Sequence, residues 1–292
     1  MGFILSLFVM LMISAPPALS CDPFTRKSGE APYIVAHGGC KHLFPENTMV
    51  AFDGAVALGV DMLEMDVCLT SDSVLVTHHD ASLERTSDGS GLIGEYDFAT
   101  LKNFNFGAKF PGLDKSYPYR SRKVGITMCE EVLLKYGREK RMLIEIKPVG
   151  ADGRRCADQL AELLRNTGLE QSVLVSSFDD EIVRYFRSVS GNRVATAMGQ
   201  RHARWFVLLS KLGLGFLWRG HDRSLQLPFR SGRWHLDCKS IVRSAHRQGI
   251  SVYYWTVNDG KTMLRLQRLG ADGIITDRPD RVPKEFFRTS SD

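Results

Sequence analysis

The sequence holds six cysteines in 292 residues, and no two form a CxxC pair: Cys21, Cys40, Cys68, Cys129, Cys156 and Cys238 stand far apart. That spacing removes the evidence for a zinc ribbon or a thioredoxin-like motif. Glycine repeats of collagen type, heptad runs and a strong excess of one charge are also missing; the chain is 43% hydrophobic and 24% charged, with a formal charge of +5. Disorder, collagen and a coiled-coil rod are thereby excluded. A chain of this length buries roughly three-quarters of its unfolded surface, so its core needs no disulfide staples.

The first twenty residues contain no charged side chain, and their apolar stretch, Phe3 to Ile13, falls short of the roughly twenty residues that span a bilayer. Pro16 and Pro17 break the helix ahead of small residues and Cys21. Residues 1–21 therefore read as a signal peptide, or as a lipoprotein or membrane anchor with Cys21 as the lipidated residue, and the chain is expected to be exported or membrane-anchored.

From Tyr33 onward, β-rich runs alternate with amphipathic segments. Strands are expected at 33–37, 61–67, 142–147, 172–177, 193–197, 224–228, 251–257 and 272–276, with helices at 47–58, 127–137, 154–166, 179–188, 203–213, 239–248 and 260–269. Strands in that number, separated by helices, predict an α/β fold closed as a TIM (β/α)8 barrel. The Gly- and Pro-rich stretch 81–125 reads as a small insertion after strand two. Chemistry in such a barrel gathers at the carboxyl ends of the strands.

Strand one ends at Ala36-His37-Gly38-Gly39, and strand two ends in Glu64-Met65-Asp66, where alternation puts both carboxylates on one face. Two buried acids on one face are costly without a positive charge between them, and hard oxygen ligands point to a divalent cation, Mg²⁺ or Ca²⁺. Strand three adds Glu145 and Lys147 on a shared face. A cation held by Glu64, Asp66 and Glu145 beside an ammonium suits a phosphoryl oxygen. His37, with His79 from Val76-Thr77-His78-His79-Asp80, offers a general acid and base for work on a P–O bond.

At these motifs the chain resembles the glycerophosphodiester phosphodiesterase family. HGG and PENT at 37–39 and 45–48, E-M-D-V-x-L-T-x-D at 64–72, H-D at 79–80, E-I-K-P at 145–148, W-T-V-N at 255–258 and T-D-R-P at 276–279 occur in the family's order. The resemblance implies a TIM barrel over 30–288 that hydrolyses glycerophosphodiesters to an alcohol and sn-glycerol 3-phosphate with a divalent cation. Membrane-associated relatives cleave lysophospholipids, and the alternatives are a lysophospholipase D acting on lysophospholipids or a catalytically weak phosphodiester-binding relative. It further implies His37 and His79 as the acid/base pair; Glu64, Asp66 and Glu145 as metal ligands; and Lys147, Glu46, Asn47 and Trp255 as substrate-binding residues. In some members the histidine matched by His79 is described as a metal ligand. The departure is Gly38, where the family usually has arginine, and the basic pair Lys41 and His42 is the expected replacement for that charge.

His78 reads as a packing or solvent residue. His202, His221, His235 and His246 have no acid cluster beside them in the sequence and are expected at the surface. Residues 201–250 hold ten Lys or Arg against Asp222 and Asp237, around the apolar segment 203–218. That segment reads either as an outer helix packed on its strand or as an interfacial segment giving membrane contact through 201–219. The expected partners are a small-molecule or lipid phosphodiester and a membrane surface. Nucleic acid is not expected, because a basic patch with no recognised binding motif is non-specific.

Overall fold

In the computed structural model, residues 23–232 and 234–287 are described. The leader 1–21 with Cys21, and Arg288 at the expected domain end, lie outside them. Eight parallel strands form the barrel: β1 (Tyr33–Ala36), β2 (Met62–Leu69), β3 (Arg141–Ile146), β4 (Val173–Ser176), β5 (Ala195–Thr196), β6 (Ser224–Pro228), β7 (Ser251–Trp255) and β8 (Gly273–Thr276). Neighbours in space follow chain order, and β8 pairs with β1 in the register Ala36↔Thr276. The seam between β5 and β6 is joined by the parallel bridge Ala197↔Ser224 and by Arg223 N donating to Thr196 O at 2.8 Å. The α/β TIM barrel expected from the alternation is the observed fold.

Strand alternation sorts the side chains into layers. Tyr33, Val35, Met62, Leu143, Leu174, Tyr253 and Ile275 fill the barrel interior, floored by Phe24, whose carbonyl accepts from the Tyr253 hydroxyl at 2.7 Å. Two residues further along the same strands come His37, Glu64, Glu145, Ser176, Trp255 and Asp277. The apolar layer thus supports a polar one at the carboxyl ends, as the period of two requires.

Helices α1 (Met49–Ala57), α2 (Cys129–Tyr136), α3 (Gly150–Thr167), α4 (Asp180–Val189), α5 (Gln200–Lys211), α6 (Lys239–Arg247) and α7 (Gly260–Leu269) ring the barrel. Thr48 caps α1 by accepting from Ala51 N, and Asp259 caps α7 by accepting from Thr262 N. The excursion after β2 opens with the strand Leu75–Thr77, antiparallel to β2, and returns through Thr127–Met128. Between them a separate apolar cluster, including Leu83, Ile93, Leu101 and Phe106, gives the insertion its own small core. Among the described residues no helix is long and apolar enough to cross a membrane.

Of segment 203–218, only the part up to Lys211 is α-helical, and a separate 3-10 turn follows at Gly215–Leu217; α5 packs on the barrel through one stripe. Phe206 and Ser210 are buried, while Trp205, Leu208 and Leu212 face outward. His221, His235 and His246 are exposed as expected and His202 is half-buried, but three of the four meet a carboxylate, which for His202 and His246 is brought by folding from twenty or more residues away. His246 Nε2 lies 2.8 Å from Asp272, His235 lies 3.3 Å from Asp237, and His202 stands 3.5 and 3.6 Å from Asp180 and Asp222. His78 is buried in the insertion, its ring nitrogens at 2.8 Å from Asp80 O and 3.0 Å from Thr86 Oγ1.

Candidate active site

The first loop depends on two glycines. Gly38 and Gly39 adopt φ of +53° and +72°, and a Cβ at Gly39 would meet that of Ala51 at 2.7 Å. This tight turn aims the Gly38 N–H at Glu64 Oε2, 2.6 Å away. Asn47, itself at φ +55°, closes the loop on the neighbouring acid: its Nδ2 donates to Asp66 Oδ2 at 2.8 Å, and its Oδ1 accepts from Asp66 N at 3.0 Å. Both polar ends of the Asn47 amide are thereby committed to holding Asp66.

Glu64, Asp66 and Glu145 each bring one carboxylate oxygen within 4.8 Å of the others. Burial and the adjacent Asp66 charge push the Glu64 carboxyl up to about 8. Burial pushes Glu145 in the same direction, and for Asp66 the Lys147 charge overcomes burial and holds the group low. Lys147 Nζ bridges the acids, 2.9 Å from Glu145 Oε1 and 3.0 Å from Asp66 Oδ1. Asp66 Oδ1 is buried, with the Lys147 ammonium as its charge partner. A buried anionic oxygen of this kind, with two further carboxylates at ligand spacing, fits a hard divalent cation.

His37 and His79 flank the acids, each held by a carboxylate through Nδ1: His37 by Asp277 Oδ1 and His79 by Asp80 Oδ1, both at 2.7 Å. Burial disfavours the His37 imidazolium, but Glu64 and the Asp277 hydrogen bond favour it, and the net displacement is upward. Asp277 is fixed in turn by Asn258, which donates to Oδ2 at 2.8 Å and accepts from Asp277 N at 2.9 Å. Such a charge-assisted hydrogen bond contributes about 1.5–3 kcal/mol. Asp80 is gripped by Arg85, which also forms a two-pronged pair with Glu46 at 2.8 and 2.6 Å. The Glu46 carboxylate therefore ties the first loop to the insertion. Lys41 Nζ approaches His37 Nε2 to 3.3 Å, and His42 Nε2 lies 3.5 Å from Asp277.

Of these groups, His37, Lys41, Glu64, His79, Glu145 and Lys147 line one end of a cavity of about 890 Å³. Its other wall is mostly apolar, with Phe178, Met198, Val207, Leu208, Trp234 and Trp255, and also carries Arg204 and Lys211. Trp255 meets Phe178 edge to face, with ring centroids 6.0 Å apart. The five described cysteines are unpaired, and burial pushes Cys40 and Cys68 beside the site up to about 12, where a thiol is inert.

Asp277, Asn258 and Arg85 were not singled out from the sequence. A signal existed for the first two. In a closed barrel the last strand adjoins the first, so the acid of T-D-R-P stands level with the histidine of HGG. Arg85 lies in the irregular insertion, where no periodicity predicts a side chain's direction.

Residues 37–281 match the family model described as the glycerophosphoryl diester phosphodiesterase family. The chain belongs to this family. It is a phosphoric diester hydrolase by that membership, and the family in general depends on a divalent metal ion. YhdW of Bacillus subtilis is 30% identical over 263 residues, covering 87% of this chain and 97% of that protein. The glycerophosphodiester phosphodiesterase of Caldanaerobacter subterraneus subsp. tengcongensis is 27% identical over 249 residues, 85% of this chain and 95% of its own. In structure, the glycerophosphoryl diester phosphodiesterase domain of a Mycobacterium tuberculosis protein superposes with a TM-score of 0.76 at 21% identity, covering 86% of this chain and 97% of that one. An Oleispira antarctica phosphodiesterase in complex with the product sn-glycerol-3-phosphate gives 0.67 at 24%, covering 87% and 96%.

Proposed function

We propose that this family member hydrolyses glycerophosphodiesters to an alcohol and sn-glycerol 3-phosphate, using a divalent cation held by Glu64, Asp66 and Glu145. The observation that supports this reading best is that one end of the barrel brings together three carboxylates at ligand spacing, Lys147, and two histidines that each rest on a carboxylate. When bound, the cation supplies a Lewis acid for a phosphoryl oxygen. Lys147 and Lys41 add positive charge at that end, and Lys41 stands in for the arginine absent at position 38.

Asp277 holds the proton of His37 on Nδ1, so Nε2 presents a lone pair to the cavity. His37 takes the proton of the attacking oxygen as general base. His79, held by Asp80, returns a proton to the departing alkoxide. The attacking oxygen is that of water or, by family analogy, of the substrate's own glycerol hydroxyl through a cyclic phosphate. Trp255 bounds the glycerol end of the cavity, and Glu46 and Asn47 act on substrate through the loop they hold. Export or anchoring through 1–21 belongs to the same proposal.

A second reading, lysophospholipase D action on lysophospholipids, is favoured by the apolar wall. A cavity near the top of the roughly 300–1,000 Å³ range of ligand sites exceeds what glycerol phosphate fills. Turnover of glycerophosphocholine and of a lysophosphatidylcholine, each with Mg²⁺, Ca²⁺ or chelator, tests both readings. Activity on the first substrate that chelator abolishes is expected. Activity that persists in chelator, or in Glu64→Ala, overturns the metal assignment; preference for the second substrate selects the lipid reading.

A further inference from the structure

The outward stripe of α5 and the segment beyond it are apolar where a helix facing water is ordinarily polar. Trp205, Leu208, Leu212, Phe216, Leu217 and Trp234 are each between 46% and 69% exposed. Residues 201, 204, 205 and 208 of α5 and its C-cap Leu212 fall at three- and four-residue spacings, so Arg201 and Arg204 lie beside the exposed Trp205, Leu208 and Leu212. Arg219 and Arg230 are exposed nearby. The acids of this region do not reach the surface. The Asp222 side chain is 0% exposed and paired with Arg187, and that of Asp237 is 2% exposed and paired with Arg265. Folding has turned a basic stretch of sequence into a cationic surface with its carboxylates inside.

The face is continuous with the catalytic cavity. Leu208 and Trp234 belong both to the exposed set and to the wall of the cavity that holds His37 and Glu64. Lys211 joins the two elements, its Nζ 4.9 Å from the Trp234 ring centroid and 3.1 Å from His235 O. Exposed tryptophan and leucine flanked by arginine, with both acids of 201–250 turned inward, complement the headgroup layer of an anionic bilayer.

We propose that this face is a docking surface for a lipid bilayer carrying anionic headgroups. The tryptophans lie at headgroup depth, the arginines meet lipid phosphates, and the cavity opens beside the bound surface. The proposal is independent of which phosphodiester is hydrolysed.

The test uses the full chain with phosphatidylcholine vesicles, with and without phosphatidylglycerol, whose acyl chains carry bromine as a contact quencher. On anionic vesicles the bromine is expected to quench a component of tryptophan emission that Trp205→Phe lacks. Trp205→Ser combined with Leu212→Ser and Phe216→Ser is expected to weaken vesicle binding about tenfold or more, since each fully buried large apolar side chain is worth about that factor. Its melting temperature and turnover of glycerophosphocholine should be unchanged. Capture through residues 1–21 alone would leave Trp205 unquenched, and that result overturns the proposal. So does concentration-dependent self-association through this face without quenching.

Discussion

The Nδ1 of His37 lies 2.7 Å from Oδ1 of Asp277, although 240 residues separate the two in sequence. Closure of the barrel makes the contact, since β8 pairs with β1 in a register that puts the residues after Ala36 and Thr276 side by side. Asp277 thereby sets the proton position on His37 and raises its basicity. The following outcomes are expected from this and related contacts.

Asp277→Asn keeps the shape of the side chain and removes its charge. The hydrogen bond that favours protonated His37 is weakened, so the alkaline plateau of kcat/KM should fall about 100-fold or more while its acidic limb moves to lower pH. A rate–pH profile that matches the parent in both respects would remove Asp277 from the catalytic account.

Lys41→Ala withdraws the ammonium 3.3 Å from His37 Nε2. With glycine at position 38, no arginine there can compensate, and a loss of about 2–4 kcal/mol of transition-state stabilisation is expected in kcat/KM. Lys41→Arg, which keeps a positive charge at that position without disturbing the glycine turn, should retain part of that stabilisation. Unchanged constants in Lys41→Ala would refute the replacement.

Glu64 links pH to cation binding. Its carboxyl is pushed up to about 8, from the ordinary 4.5 of a free carboxyl, by burial and by Asp66. A raised carboxyl pKa stabilises the fold fully below the unfolded value and loses that contribution as pH rises through the folded one. The cation-free protein should therefore lose stability between pH 4.5 and 8, and the bound cation should offset that loss. Melting temperatures with and without Mg²⁺ or Ca²⁺ are expected to diverge across this window in the parent but much less in Glu64→Gln. A cation effect of equal size at both ends of the window would contradict the linkage.

Arg85→Ala frees Glu46 and Asp80 together. His79 then loses the fixed orientation of its carboxylate partner, and kcat should drop about tenfold or more with a smaller change in KM. Asp80→Asn should resemble it, and the double variant should fall short of the sum because both act through His79. Full additivity would mean that Arg85 acts elsewhere.

Much of the site was legible from local pattern. Strand alternation alone puts Glu64 with Asp66, and Glu145 with Lys147, on shared faces, and the eight-fold repetition of strand and helix implies a closed barrel. Thr48 could likewise be read as the cap of α1, because a cap is a contact between near neighbours. The motif order was enough to recognise the family. What resisted reading were contacts between elements: Asn47 clamping Asp66, Arg85 joining Glu46 to Asp80, and His246 meeting Asp272.

The sequence carries no CxxC pair that would mark a long-range contact in advance. The sequence by itself determined the layers, since the direction of a side chain along a strand or helix depends only on the backbone period. Tertiary structure alone decided the partners: which carboxylate holds His37, which charge lies beside it, and which acids of 201–250 turn inward to leave a cationic apolar face. Those outcomes depend on barrel closure and helix docking, which bring together groups whose spacing along the chain carries no record of their distance in space.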